Sequence, residues 1–251
     1  MNLTHLHIRT VAALACAATL VTLSACGGSK KPAADHKPKS RSLSESRPGA
    51  RPNGIEKLAA DAIYNTATHA NAEAGSLRER MARPGITSDL RLSPTECAGT
   101  VTRSAEGSYE IVRKGTDTWV KPSARFAAWM TRSTGTAFSD SAWLHGTAGN
   151  PVTSALSSYC HSEQFAAPDA SAGGLTKGRV SQLDGLQVTS LARKGAGGKS
   201  VTYYIASTGT PNLIMQDVTG SRTSPDLTYS DFGKPVGAKK PTGKIVEAPK
   251  D

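Results

Sequence analysis

The stretch DLRLSPTECAGTVTRSAEGSYEIVRKGTDTWVKP, residues 89–122, decides the fold. Within it CAGTVT, SYEIVR and DTWVKP are short runs, each bounded by glycine, proline or a polar turn. Beginning just upstream and running into it, Ile86, Ser88, Leu90 and Leu92 alternate with Thr87, Asp89 and Arg91, a period of two. Closely spaced runs of this kind predict an antiparallel meander, because short turns join only antiparallel neighbours.

Upstream, GIEKLAADAIYNTATHANAEA, residues 54–74, changes period. Ile55, Leu58, Ala59, Ala62, Ile63, Thr66, Ala67 and Ala70 fall on one arc at 100° per residue and predict a helix. His69 lies on the same arc and is expected as a core or edge histidine. Downstream, SARFAAWM and NPVTSALSSYCHSEQ are expected as helices, the second capped by Asn150 with Pro151 in its first turn. Strands resume with GRVSQL, LQVTSLAR, SVTYYIAS, NLIMQDV and DLTYSDF. Helix, strands, helices, strands is the order of an α+β domain, and residues 55–251 suit one such domain. Its aliphatic content is thin.

Residues 1–25 have a different character. A hydrophobic run of 16 residues from Thr10 to Ala25 follows Arg9 and is too short to span a bilayer. It has the layout of a cleaved secretory signal. Its end, Leu23-Ser24-Ala25-Cys26, matches the bacterial lipobox, in which a diacylglyceryl group is placed on the cysteine thiol. Two or three acyl chains make a stable anchor. Cys26 is therefore expected to be lipidated, on the extracytoplasmic face of a cell membrane.

From Cys26 to Gly54 the chain reads as a disordered basic tether, with four prolines, several serines and little to bury. As a flexible coil it reaches about 30 Å. It carries +5 of the formal charge of +10, and Arg9 carries another +1. Half the excess thus lies beside the membrane, where each basic residue gains roughly 1 kcal/mol near anionic lipid. No nucleic-acid-binding motif is present, so a membrane is the expected anionic partner and nucleic acid is not.

Beyond Cys26 two cysteines remain, Cys97 and Cys160, since Cys16 lies within the expected signal segment. The compartment is oxidising, which favours a disulfide. The rival is a metal site made by Cys97, Cys160 and His161, but no CxxC or HxxxH spacing supports it, and no metal is expected. Seven of the thirteen aromatic residues fall between Trp119 and Phe165. They read either as helices packing on a sheet or as a hydrophobic pocket between the two. On the second reading Trp119, Phe126, Trp129 and Trp143 border the pocket.

Catalytic signatures are missing. GAGGKS, residues 195–200, resembles the tail of a P-loop, but the glycine required five positions before Gly198 is Arg193. A glycine-rich hairpin turn explains it better. There is no GxSxG, SxxK or HExxH. The histidines His36, His69, His145 and His161 have no evident catalytic partners, and no cofactor is expected.

The helix running into AEAGSLRERM, the strand series of residues 89–122, STGTPNLIMQDV and the closing TYSDFGKPVGAKKP together resemble the LppX–LprAFG lipoproteins of actinobacteria. More distantly the chain is similar to the LolA/LolB lipoprotein carriers. The resemblance covers roughly residues 55–243. It implies a strongly curved antiparallel sheet, a half-barrel, with helices over the concave face and a lipid or lipidated molecule held between them. It carries over no catalytic residue. The expectation is a monomeric, non-enzymatic, membrane-tethered domain that binds or carries a hydrophobic envelope molecule. The alternatives are a lipoprotein with a filled core, serving structure or protein interaction, and a hydrolase with a spatially assembled site.

Overall fold

The computed structural model describes residues 51–161, 165, 174–221 and 223–250. The segment expected as a signal peptide at 1–25, Cys26, His36 and the expected tether up to residue 50 lie outside them.

The helix expected from Gly54 is interrupted. Ile55–Lys57 form a 3-10 turn that buries Ile55. Leu58 and Ala59 are extended, and helix α1 runs only over Ala60–Glu73. It buries Ile63, Ala67 and Asn71, a stripe at four-residue spacing. Asn71 clips the helix to the sheet: its Nδ2 donates to the Leu213 carbonyl at 3.0 Å, and its Oδ1 accepts from the Leu213 N–H at 3.1 Å. His69 falls outside the stripe, exposed and beside Glu73 at 3.4 Å.

Helix α2, Ala124–Thr134, starts at Ser123, whose hydroxyl accepts from the Phe126 N–H, and stops at Gly135 in the left-handed region. Helix α3, Pro151–Leu156, has the expected cap: Asn150 Oδ1 accepts from the Thr153 N–H at 3.0 Å. It is shorter than expected, because a 3-10 turn over Ser157–Tyr159 leads straight to Cys160.

Among the described residues twelve strands form one sheet. In chain order they are β1 Leu77–Arg83, β2 Ile86–Leu92, β3 Glu96–Arg103, β4 Gly107–Lys114, β5 Asp117–Pro122, β6 Trp143–Thr147, β7 Thr176–Leu183, β8 Leu186–Lys194, β9 Ser200–Ala206, β10 Leu213–Thr219, β11 Asp226–Ser230 and β12 Ile245–Glu247. The spatial order is β12-β6-β5-β4-β3-β2-β1-β11-β10-β9-β8-β7. Every pairing is antiparallel except β12 on β6, and the sheet is not closed into a barrel. The fold is thus α+β and mostly sheet. GAGGKS makes the turn from β8 to β9, closed by the Gly195 N–H donating to the Lys199 carbonyl at 2.8 Å.

Cross-strand register shows that the helices share one face. Tyr203, Gln216, Leu227, Met81, Ser88, Val101 and Tyr109 are successive partners in one row from β9 to β4. Tyr203 touches Tyr64 of α1 with ring centroids 4.9 Å apart, and Tyr109 touches Phe126 of α2 at 4.9 Å. The Tyr109 hydroxyl donates to the Leu156 carbonyl of α3 at 2.8 Å. The main core lies between this face and the helices, with Leu90, Leu92, Val101, Ile111, Val120 and Phe126 all but inaccessible to solvent. No described helix is long and apolar enough to cross a membrane.

Candidate functional site on the helix-bearing face

One row of this face breaks its own pattern. Tyr229, Glu79, Leu90, Gly99, Ile111, Val120 and Leu144 are successive partners from β11 to β6. All are apolar or aromatic except Glu79. In SLRERMAR, Glu79 occupies the inward position between Leu77 and Met81, and it is 2% exposed. A carboxylate sheds its hydration shell at such a position, so burial pushes the Glu79 carboxyl upward, against the charge of His161. His161 Nε2 lies 3.8 Å from Glu79 Oε1.

Three tyrosines complete the cluster. Tyr229 pairs directly with Glu79, and burial first, then the Glu79 charge, hold its hydroxyl well above the ordinary tyrosine value. Tyr64 and Tyr203 also bear on Tyr229, and Tyr203 accepts from Arg193 Nη2 at 3.2 Å. A carboxyl, an imidazole and three phenols thus meet where apolar strands face α1.

The expected disulfide is present and explains His161. Cys97 and Cys160 are bonded, with Cα atoms 5.7 Å apart. Cys97 lies in the row of Leu77 and Leu92, next to the Glu79 row. The bond holds Cys160 over β3, and the next residue, His161, reaches Glu79. No group of three or more potential metal ligands occurs among the described residues.

The four aromatics expected around one pocket divide between the two faces. Phe126 is buried and stacks on Trp129 at 5.3 Å, and Arg103 lies over the Trp129 ring at 5.3 Å. Both belong to α2, and Phe126 lies against Tyr109 of the sheet. Trp119 precedes Val120 on β5. Because Val120 faces the helices, alternation turns Trp119 to the opposite face. There it stacks on His145 at 5.3 Å. Trp143 shares that face, with Lys121 Nζ 5.9 Å from its ring.

His145 is itself clamped. Nε2 lies 2.8 Å from Asp117 Oδ1 and Nδ1 lies 2.9 Å from Glu247 Oε1. The hydrogen bond to Glu247, then that to Asp117, raises the imidazole above the usual histidine value. Two acceptor-only carboxylates on opposite ring nitrogens require the imidazolium form. The arrangement joins β12 to β5 through β6.

Elsewhere the opposite face neutralises itself. Asp89 accepts from Arg78 Nε and Nη2 at 2.6 Å each and from Arg80 Nε at 3.2 Å. Burial pushes the Asp89 carboxyl up, but the arginine hydrogen bonds outweigh it and keep it below the usual range. Gly99 permits this close strand approach, since a Cβ there would collide with the Asp89 carbonyl oxygen. Two shallow clefts lie here, of about 470 Å³ between Arg80 and Thr228 and about 500 Å³ beside Arg91. Their arginines are already engaged, Arg78 and Arg80 with Asp89 and Arg91 with Asp231, and they are poor candidates for an ionic ligand.

Sequence reasoning missed Glu79 and its tyrosines. The available signal was the glutamate in step with Leu77 and Met81, legible only once residues 77–83 are read as a strand.

No family model and no curated protein matches the chain. Solved structures similar to it include LprF from Mycobacterium bovis, with 12% identity, a TM-score of 0.49, and coverage of 78% of this chain and 100% of that one. The lipoprotein LppX of Mycobacterium tuberculosis matches with 18% identity and a TM-score of 0.49, covering 71% of this chain and 97% of its own. An uncharacterized conserved protein from Thermus thermophilus matches with 8% identity and a TM-score of 0.35, over 76% of this chain and 100% of that one. The chain is thus similar in structure to LprF and LppX over most of its length.

Proposed function

We propose that the chain is a lipid-anchored, extracytoplasmic lipoprotein whose domain binds or carries a hydrophobic, lipid-like envelope molecule, without catalysis or cofactor. The Leu23-Ser24-Ala25-Cys26 sequence supports the anchor. The ligand lies between the helices and a sheet curved as a half-barrel. Curvature is supported by strand number, since twisted open sheets of more than about ten strands curl. It is supported too by a single core cluster that includes Leu144 of β6 and Leu191 of β8.

The observation that carries the reading is Glu79 in its apolar row. A sealed core has little use for a buried carboxyl, since even beside His161 and Tyr229 its desolvation costs stability that a leucine would not. An amphipathic ligand has such a use, because mostly apolar sites fix orientation with a few polar groups. Phe126 and Trp129 supply apolar wall on this face. Trp119 and Trp143, on the other face, take no part.

A filled core is the second reading, favoured by Leu90, Val101, Val120 and Phe126 at zero exposure. The two separate on Trp129→Ala in the mature chain 26–251. A carrier loses affinity for a fluorescent fatty acid at little cost in stability. A filled core binds none of the probe in either form, and the variant loses roughly 3–5 kcal/mol to a new void.

A further inference from the structure

One corner of the sheet collects cations that, among the described residues, have no carboxylate partner. Residues 174–200, which form β7, β8 and the turn to β9, contain Lys177, Arg179, Arg193, Lys194 and Lys199 against a single acid, Asp184. Among the described residues none of these five cations is in an ion pair. Lys177 Nζ instead donates to the Glu56 and Leu58 carbonyls at 2.9 Å each, and Arg193 to the Tyr203 hydroxyl. Register gathers them: Thr176 faces Ala192, Arg193 faces Val201 and Lys194 faces Ser200. Strand β7 ends the sheet and is exposed along Thr176–Gln182, on both its faces.

We infer that this corner docks on an anionic bilayer surface, so that the domain rests against its membrane by the basic edge. The inference rests on the lipid-anchored reading above. Pairing with an acidic strand of another protein fits less well. The ladder slips between Lys177 and Val180, and charged side chains with a bulge are the usual means of keeping an edge strand from pairing. A plane of lipid phosphates needs no register and no apolar contact. It rewards cations whose charge is not already spent on carboxylates.

The geometry of the tether permits the contact. Its end meets the domain where Pro52 bridges Thr208 and the Gly209 N–H donates to the Arg51 carbonyl at 3.1 Å. From that end of the β8–β9 ladder, at Val188 and Ala206, to Lys194 and Ser200 is six residues, or about 20 Å. The reach expected for the tether from its sequence is about 30 Å.

The test uses the mature chain 26–251 with Cys26→Ser, which has no acyl chain, and sedimentation with phosphatidylcholine vesicles with or without phosphatidylglycerol. The triple variant Arg179→Gln, Lys194→Gln, Lys199→Gln spares Lys177 and Arg193, which hold backbone and tyrosine oxygens. A charge-matched control changes Lys239, Lys240 and Lys244 to Gln, in the segment leading to β12 at the far edge of the sheet. Binding to anionic vesicles should weaken about fivefold per neutralised charge in the first variant. It should weaken far less in the control, and vesicles of phosphatidylcholine alone should bind neither. Equal losses in the two variants, or none in the first, overturn the inference; the second result would leave the corner to an acidic protein. The intact mass of the wild-type protein from its own membranes reports Cys26 acylation separately, so failure of the anchor and failure of the docking surface are told apart.

Discussion

Glu79 holds its carboxyl between Tyr229 and Leu90, and burial favours its protonated form. A folded-state value raised above the unfolded one lowers stability as pH climbs from the ordinary glutamate value, about 4.3, through the folded value. Glu79→Gln should therefore raise stability at neutral pH, with the gain shrinking toward pH about 4. Denaturant titrations at both pH values check this, and an unchanged or lower neutral stability would mean that the cluster already compensates the charge. The same variant should bind a polar-headed lipid probe more weakly. His145 gives the opposite sign. Its raised value means stabilisation that is complete below the unfolded value of about 6.5 and lost as pH rises through the folded one. His145→Gln should remove that pH dependence and speed hydrogen exchange at Ala248, whose N–H donates to the His145 carbonyl at 2.7 Å. Neither role was legible in the sequence. Asp117 and Glu247 are far from His145 in the chain, and only the parallel pairing of β12 on β6 brings Glu247 to it.

At the scale of elements, the disulfide and α3 act together. The Cys97–Cys160 bond spans a sequence separation of 63, and the chain-entropy model assigns such a loop roughly 4 kcal/mol. Cys160→Ser should lower the melting temperature clearly and let His161 move away from Glu79, and both thiols of the wild type should resist labelling until reduced. Asn150→Ala should cost about 1–2 kcal/mol, because Asn150 caps α3 and also donates from Nδ2 to the Ala248 and Pro249 carbonyls. The local signals that predicted α2, the start of α3 and the meander were strong: Ser123, Asn150 with Pro151, and period-two runs bounded by glycine. The weaker elements depended on distant partners. Residues 77–83 alternate Leu, Glu and Met on one side, and the glutamate hides the strand until β2 and β11 flank it. Strand β12 is three residues long and exists because β6 offers an edge. The break at Leu58 and Ala59 has no proline or glycine to announce it. Lys177, from the far edge of the sheet, binds the Glu56 and Leu58 carbonyls at the break.

At the scale of the whole molecule, the described residues form an open twelve-strand sheet with three short α-helices on one face and the main core between them. Cys26→Ser should send the protein into the medium or leave it as an uncleaved precursor. Fractionation and intact mass decide that point. The family resemblance was legible from the strand series of residues 89–122 together with the three segments around it, and the α+β class from the order helix, strands, helices, strands. The division of the aromatics was not: a run of Trp and Phe gives density along the chain, while the face each occupies follows from odd or even position in β5 and β6. The helix-bearing face is proposed to take up a hydrophobic envelope molecule. The most direct test is a native mass spectrum of the mature protein purified from its own host, compared with the same protein after delipidation. A carrier should show discrete added masses that extract into organic solvent and that Glu79→Gln and Trp129→Ala diminish. A single species at the mass of the acylated chain, unchanged by extraction and by either substitution, would contradict the claim and leave a lipoprotein with a filled core.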